Sequence, residues 1–294
     1  MKNVLSLQWD DLWTKEFHDL QKHVTQRAPK LKKATYQEKA IAEFLPYQFV
    51  DQFENIEAEL WKESDKNRGH RVVASGLRNR YVLLHITMGI LRCESLYRAK
   101  LSDFCGVIVP PNDRDAHRMF IMVNQIPFGK TNHGRVLYGR ATRHKHVKLC
   151  PIAAFAFYLQ YRFHVTDEFL DFTIEDWCDN KKWFDIKLLV DVATGDNTLE
   201  LANDQYARKL KEVLQRLGLP MSILVHFGRK LGPRILDLLE EESREIERLG
   251  NWNPSIQDGC YSTKLPLKPI RKMAGYGGNG TSATRSRGVT IGHG

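Results

Sequence analysis

Acidic residues are missing from the whole stretch between Ala116 and Thr166, and they stop again after Asp258. Cysteine is scarce: Cys93, Cys105, Cys150, Cys178 and Cys260 are odd in number, widely spaced and without a Cys-x-x-Cys. That pattern suggests neither a disulfide framework nor a zinc site. The thiols are expected to be buried, and no metal or cofactor is expected. No apolar run approaches the ~18 residues that a membrane span requires. The opening Met-Lys-Asn-Val-Leu-Ser-Leu-Gln-Trp-Asp has no extended apolar core or small-residue cleavage site. The reading is therefore a cytosolic or nuclear protein with no membrane contact. Internal repeats are absent too.

What is present is ordinary globular material with an unusual charge distribution. The 294 residues are 42% hydrophobic, enough for one large core or two modest domains. Net charge is +9, and the acid-free stretch alone carries +8 through Arg118, Lys130, Arg135, Arg140, Arg143, Lys145, Lys148 and Arg162. Lys264, Lys268, Arg271, Lys272, Arg285 and Arg287 add +6, leaving −5 for the remainder. A field segregated in this way suits a polyanion, because neutralised phosphates release condensed counterions. The plainer alternative is a solvated basic face.

Large residues recur at helical spacing from Leu5 to Leu20 and again, after Pro46, at Val50, Phe53, Ile56, Leu60 and Trp61. This predicts a helical N-terminal portion over residues 1–70, closed by the polar Lys62 to Arg71 connection. A helix over Arg78 to Leu91, with Tyr81, Leu84, His85 and Met88 on one face, delivers Arg92 at its end. Runs rich in Val, Ile, Phe and Met at Asp103 to Pro110 and Arg118 to Ile126, then Gly134 to Tyr138, predict a small antiparallel sheet with Lys130 at a hairpin. Pro151 opens an apolar helix to Phe163, since proline fits a first turn. Residues 166 to 200 read as irregular, anchored by Trp177 and Trp183. A helix through Tyr206, Leu210, Val213, Leu214 and Leu217 ends at Gly218. Leu224 to Leu239 reads as a helix that Gly232-Pro233 interrupts or restarts. In the charged segment Glu240 to Leu249, Ile246 and Leu249 point inward. A short helix carrying Tyr261 and a last one, Leu267 to Ala274, precede a tail expected to be disordered.

The chemistry concentrates between His226 and Tyr261. A phenol downstream of a His-x-x-Arg pair, with an N–H donor between them, can attack a phosphodiester through a tyrosyl intermediate. Tyr261 offers the nucleophile, with an ordinary pKa of about 10 that calls for activation. Arg92 and Arg229 can present planar forks to phosphate oxygens. His226 can donate a hydrogen bond or shuttle a proton, Trp252 can donate its indole N–H, and Lys130 is the candidate acid for the departing oxygen. Each residue alone has an ordinary structural explanation. Their order along the chain makes the case.

That order resembles the catalytic domain of tyrosine recombinases and lambda-type integrases. The wording is closer still to a fungal branch: Leu91-Arg92-Cys93-Glu94-Ser95, Gly129-Lys130-Thr131-Asn132, Tyr138-Gly139, Arg143-His144, Leu149-Cys150-Pro151, Leu249-Gly250-Asn251-Trp252-Asn253, Tyr261-Ser262-Thr263-Lys264-Leu265-Pro266 and Met273-Ala274-Gly275. It is similar to domain 2 of the large DNA-binding subunit of fungal centromere-binding complexes, a family related to Crypton recombinases. The resemblance runs from about Trp13 to Tyr276. It departs from the recombinase pattern at Cys93 and Gly228, inside the two Arg motifs.

The resemblance implies a mainly α fold with a small antiparallel β-sheet, of the integrase catalytic-domain type, over residues 71–275. Residues 276–294 form the Gly/Ser/Arg tail. It implies double-stranded DNA as partner, held through its backbone as a homodimer or higher assembly, and a nuclear address. Arg118, Arg135, Arg140, Arg143, His144, Lys145, Lys148 and Lys264 become DNA-contacting candidates. Three functions are distinguished: a DNA-binding protein of recombinase descent, a recombinase forming a 3′-phosphotyrosyl link through Tyr261, and a helical scaffold whose basic face meets an acidic protein.

Overall fold

The computed structural model describes residues 46–65, 69–110, 118–127, 136–166, 168, 172–191, 196–219, 226–252 and 266–276. The chain divides into units of Met1–Phe44 and Leu45–Gly294, and every described residue belongs to the second. The division does not fall at residue 70. Helices α1 (Pro46–Asp51) and α2 (Phe53–Lys62) are part of the second unit, because Phe49, Phe53, Ile56 and Leu60 are no more than 1% exposed and pack into its core. The stripe from Leu5 to Leu20 and the tail beyond Tyr276 lie outside the described residues.

Helix α3 (His70–Met88) is the axis of this unit. From Arg78 to Met88 each residue is buried, so the helix is covered on every face rather than along one stripe. Its arginines and His85 are admitted because each finds a partner. Arg78 donates to the Val190 carbonyl at 2.8 Å, and Arg80 is paired with Glu57 of α2 while also donating to the Lys148 carbonyl at 2.8 Å. His85 Nε2 meets Asn124 Oδ1 at 3.1 Å.

The sheet is antiparallel with order β1-β2-β3: β1 (Phe104–Val109), β2 (Met119–Ile126) and β3 (Leu137–Thr142). Cys105, Val123 and Arg140 stand opposite one another, and so do Phe104, Asn124 and Gly139. The second row faces α3 through Asn124, and Phe104 stacks on Phe155 of α5 (Pro151–His164) at 5.8 Å. The third strand starts three residues later than its apolar run suggested and continues through Gly-Arg-Ala-Thr. Pairing with β2, not local pattern, places it.

Two short helices, α6 (Ile174–Cys178) and α7 (Asn180–Trp183), occupy the stretch expected to be irregular. Trp177 packs on Phe163 and Trp183, as anchors should. On α8 (Asn203–Arg216), Tyr206, Leu210, Val213 and Leu214 are buried, and Lys209 and Arg216 on the other side are paired with acids, including Glu63 at the end of α2.

Helix α9 (Phe227–Leu238) runs straight through Pro233 instead of breaking there. Proline removes one rung of the ladder, but Gly228 and Gly232, one turn apart, let α9 lie directly on the α3 backbone. A Cβ on Gly228 would stand 2.4 Å from Ile86 Cγ1, and one on Gly232 would stand 2.5 Å from the Thr87 carbonyl oxygen. Helices α10 (Ser243–Leu249) and α11 (Leu267–Met273) complete the unit, with Ile246 and Leu249 buried. Lys268 and Lys272 of α11 both reach Glu241, clamping α11 to the turn between α9 and α10. Of the cysteines expected to be buried, Cys93 and Cys150 are, whereas Cys105 and Cys178 are exposed. Cys105 lies on edge strand β1. No helix among the described residues is long and apolar enough to cross a membrane.

Two buried histidines set an acid limit on this fold. Burial, more than anything else, pushes His85 and His144 down to about 4. An unfolded histidine takes up its proton near pH ~6.5, and the folded one refuses it until about 4. Stability is therefore complete above about pH 6.5 and drains away as pH falls toward 4, because the unfolded state binds more protons over that window. Thermal melts stepped from pH 8 to 4.5 should stay level down to about 6.5 and then decline. His144→Gln should flatten the decline. Equal melting temperatures throughout would contradict neutral burial of both rings.

Candidate nucleic-acid interface

Arg92, the His226/Arg229 pair and Trp252 are separated by up to 160 positions in the chain, and three different local devices deliver them. Arg92 follows α3. Gly89 ends the helix, Ile90 turns the chain at φ 53, and the Leu91 N–H returns to the Ile86 carbonyl at 2.8 Å. A β-branched residue at positive φ costs about 1–3 kcal/mol. Complete burial of the Ile90 side chain holds it there. The hook leaves Arg92 half-buried ahead of α4 (Glu94–Tyr97).

His226 and Arg229 occupy the start of α9, where the aligned peptide dipoles make the helix end itself positive. Their placement is fixed one residue further in. Phe227 is fully buried and meets Phe49 edge-on at 5.5 Å, and Gly228 touches α3.

Trp252 arrives through the end of α10. Asn251 takes φ 54, the Trp252 N–H returns to the Glu247 carbonyl at 2.8 Å, and Asn251 Nδ2 donates to the Tyr138 carbonyl at 2.9 Å. This is a left-handed helix cap in which asparagine supplies the tolerated conformation. The same side chain pins the cap to the first turn of β3. Asn251→Ala should cost about 1–2 kcal/mol through the lost bond and the less favourable φ. The Trp252 fluorescence maximum should shift with it. An unchanged melting temperature and spectrum would show that the cap does not position the indole.

The electrostatics show that these residues converge. Arg229 is drawn down to about 10, first by burial and then by the Arg92 guanidinium. His226 is held below its ordinary value by burial, then by Arg92, Arg229 and Lys230 in that order. Arg92 therefore acts on both residues of the α9 pair. The Arg229 guanidinium carbon lies 5.2 Å from the Trp252 ring centre, a cation–π contact. Among the described residues, Arg92, Arg229 and Lys230 make no ion pair with an acid. Three cations and an imidazole brought together without compensation have the chemistry to receive an anion with several oxygens.

Of the other expected contacts, Lys130, Arg135, Tyr261 and Lys264 lie outside the described residues. Arg118, Arg143, Lys145 and Lys148 are exposed. Arg143 donates its N–H to Phe120 where β2 begins, so this group sits at the far end of β3 from the Asn251 contact. The two ends are roughly 17 Å apart at ~3.3 Å per strand residue.

Arg140 and His144 correct the sequence reading, since they are only 5% exposed and do not belong to an open basic surface. Arg140 points to the sheet face that carries Cys105 and Val123, and His144 is enclosed beside His146, with Gly275 against its ring. Sequence reasoning missed Lys230, Asn251 and the packing role of Gly228. A second cation directly after the His-x-x-Arg pair, and a Gly-Asn doublet at a helix end, were the available signals. Among the described residues no group of three His, Cys, Asp or Glu side chains could hold a metal ion.

A family model described as centromere DNA-binding protein complex CBF3 subunit, domain 2, matches residues 12–289. No curated protein and no solved structure matches the chain.

Proposed function

The chain belongs to the centromere DNA-binding protein complex CBF3 subunit, domain 2, family, and from this premise we propose that it is a nuclear DNA-binding protein of tyrosine-recombinase descent. The observation that carries the reading is the uncompensated group of Arg92, His226, Arg229 and Lys230. It is built to receive one phosphate of duplex DNA. Lys130, which the sequence places between β2 and β3, would supply a further cation to the same phosphate. Arg118, Arg143, Lys145 and Lys148 would meet the backbone further along. Such contacts position a protein without reading sequence. Binding DNA as one member of a complex accords with the family's description.

The test is equilibrium binding of a fluorescent random-sequence duplex between about 50 and 200 mM salt, where each phosphate contacted adds ~0.9 to the log–log slope. A steep fall in affinity is expected. Binding that ignores salt, or no binding by folded protein, would defeat the proposal and leave the acidic-protein scaffold as the better reading.

The convergence of Arg92 with the His226/Arg229 pair favours a second reading in which Tyr261 forms a 3′-phosphotyrosyl link. The phenolic oxygen would attack phosphorus, the 5′ oxygen would leave, and Lys130 or His226 would supply its proton. A nicked duplex that traps the intermediate should then yield a covalent protein–DNA adduct, lost in Tyr261→Phe. Absence of adduct from DNA-bound protein removes the enzymatic reading and leaves the binding one intact.

A further inference from the structure

The sheet face that packs on α3 and α5 does not stay covered along its length. Phe104, Asn124 and Gly139 form the row that meets those helices. Side chains two apart on a strand share a face, so Gly106 and Met122 continue this face, and Ile108 and Phe120, directly opposite one another, end it. Met122 is buried, but Gly106 is exposed, Ile108 is 68% exposed and Phe120 is 39% exposed. A single exposed apolar side chain is commonplace. Here two are paired across neighbouring strands, and glycine makes room for the aromatic one: a Cβ on Gly106 would fall 2.6 Å from the Phe120 ring.

The surroundings of the pair say what it meets. Arg118, two residues before Phe120, is exposed. Arg143, just past the end of β3, donates its backbone N–H to the Phe120 carbonyl, and its side chain is exposed, as is that of Lys145. Strands β1, β2 and β3 contain no Asp or Glu. Phe120 therefore has an open cation ahead of it on its own chain segment and another on the neighbouring one. A DNA strand presents the complementary alternation: an anionic phosphate, the largely apolar face of a deoxyribose, then the next phosphate.

We propose that Phe120 and Ile108 form an apolar contact with a deoxyribose of the duplex, between phosphates met by Arg118 and by the Arg143/Lys145 group. The inference rests on the DNA-binding reading and adds to it a part of the affinity that salt does not screen. Covering a sugar with apolar side chains removes surface from water but releases no condensed counterions.

The experiment compares the full chain with Phe120→Ala, Ile108→Thr and Arg143→Gln, each measured for binding to the random-sequence duplex across the salt range and for thermal stability without DNA. Phe120→Ala should bind about tenfold more weakly and Ile108→Thr about threefold, at every salt concentration, so that their log–log lines run parallel to that of wild type. Arg143→Gln should instead lower the slope by ~0.9. Threonine keeps the branched Cβ that suits a strand, and Ile108 is mostly exposed, so Ile108→Thr should melt as wild type does. It therefore carries the test even where Phe120→Ala loses stability. If wild type binds with a steep slope and both apolar variants bind identically to it, the pair does not touch the duplex and the DNA-binding reading stands. If Ile108→Thr lowers the slope, its effect runs through the phosphate contacts and the apolar contact is overturned. If wild type itself shows no salt-dependent binding, the DNA-binding reading fails first, and this contact falls with it.

Discussion

Gly228→Ala should destabilise the chain by about 2–3 kcal/mol and lower its melting temperature by roughly 5–10 °C. An added Cβ would fall 2.4 Å from Ile86 Cγ1 and 2.6 Å from the Ile86 carbonyl carbon. The first atom can rotate aside, but the second is helix backbone and cannot. Alanine gains about 1 kcal/mol of helix propensity over glycine, which offsets only part of an overpacking cost of this kind. Gly69→Ala provides the control, since nothing stands within 4 Å of its Cβ position. The substitution should also reach function. Arg92 hangs from α3, and His226 and Arg229 hang from α9. Pushing one helix off the other therefore alters the geometry of the cluster itself, and DNA affinity should fall even at temperatures where the variant is fully folded. A melting temperature equal to wild type would mean that α9 does not ride on α3 as described.

Arg229→Gln separates binding from stability. Here the expected loss is 10- to 100-fold in DNA affinity, from the about 1.5–3 kcal/mol that a hydrogen bond to a charged group contributes. Stability should hardly change. The guanidinium gives up a cation–π contact with Trp252, worth about 0.5–1 kcal/mol when partly exposed, but its removal also relieves burial of a charge next to Arg92. Parallel binding isotherms and thermal melts decide the matter. Loss of affinity together with a large drop in melting temperature would show that Arg229 holds the fold. Retained affinity would show that the cluster is not where DNA is met. His226 adds a pH signature: a phosphate beside it favours the imidazolium, so its NMR titration midpoint, below the ordinary value in the free chain, should rise when DNA binds.

Much of the fold was legible because its signals are local. Tyr206, Leu210, Val213 and Leu214 repeat at the helical period and are buried together on α8. Pro151 opens α5. The apolar runs before and after Pro110 become β1 and β2. The misreadings share a cause as well. Gly232-Pro233 reads locally as a break, yet α9 continues because the Gly228/Gly232 edge lies against α3, more than a hundred residues earlier. Gly-Arg-Ala-Thr has no strand pattern of its own and is made into β3 by β2. The boundary expected at residue 70 coincides with a polar, glycine-containing stretch, but Phe53, Ile56 and Leu60 cross it to pack with α3.

The candidate site divides along the same line. Residue types and their order were enough to choose Arg92, His226, Arg229 and Trp252, because phosphate chemistry demands particular functional groups and the sequence contains them. Distance and burial were beyond its reach. That Arg92 depresses both residues of the α9 pair depends on a left-handed Ile90 and on two glycines that bring the helices into contact. That Arg140 is enclosed while Arg143, three residues on, is exposed depends on what the rest of the chain packs against β3. Local spacing carries information over a few residues, and a side chain's electrostatic environment is set by whatever the rest of the chain packs against it.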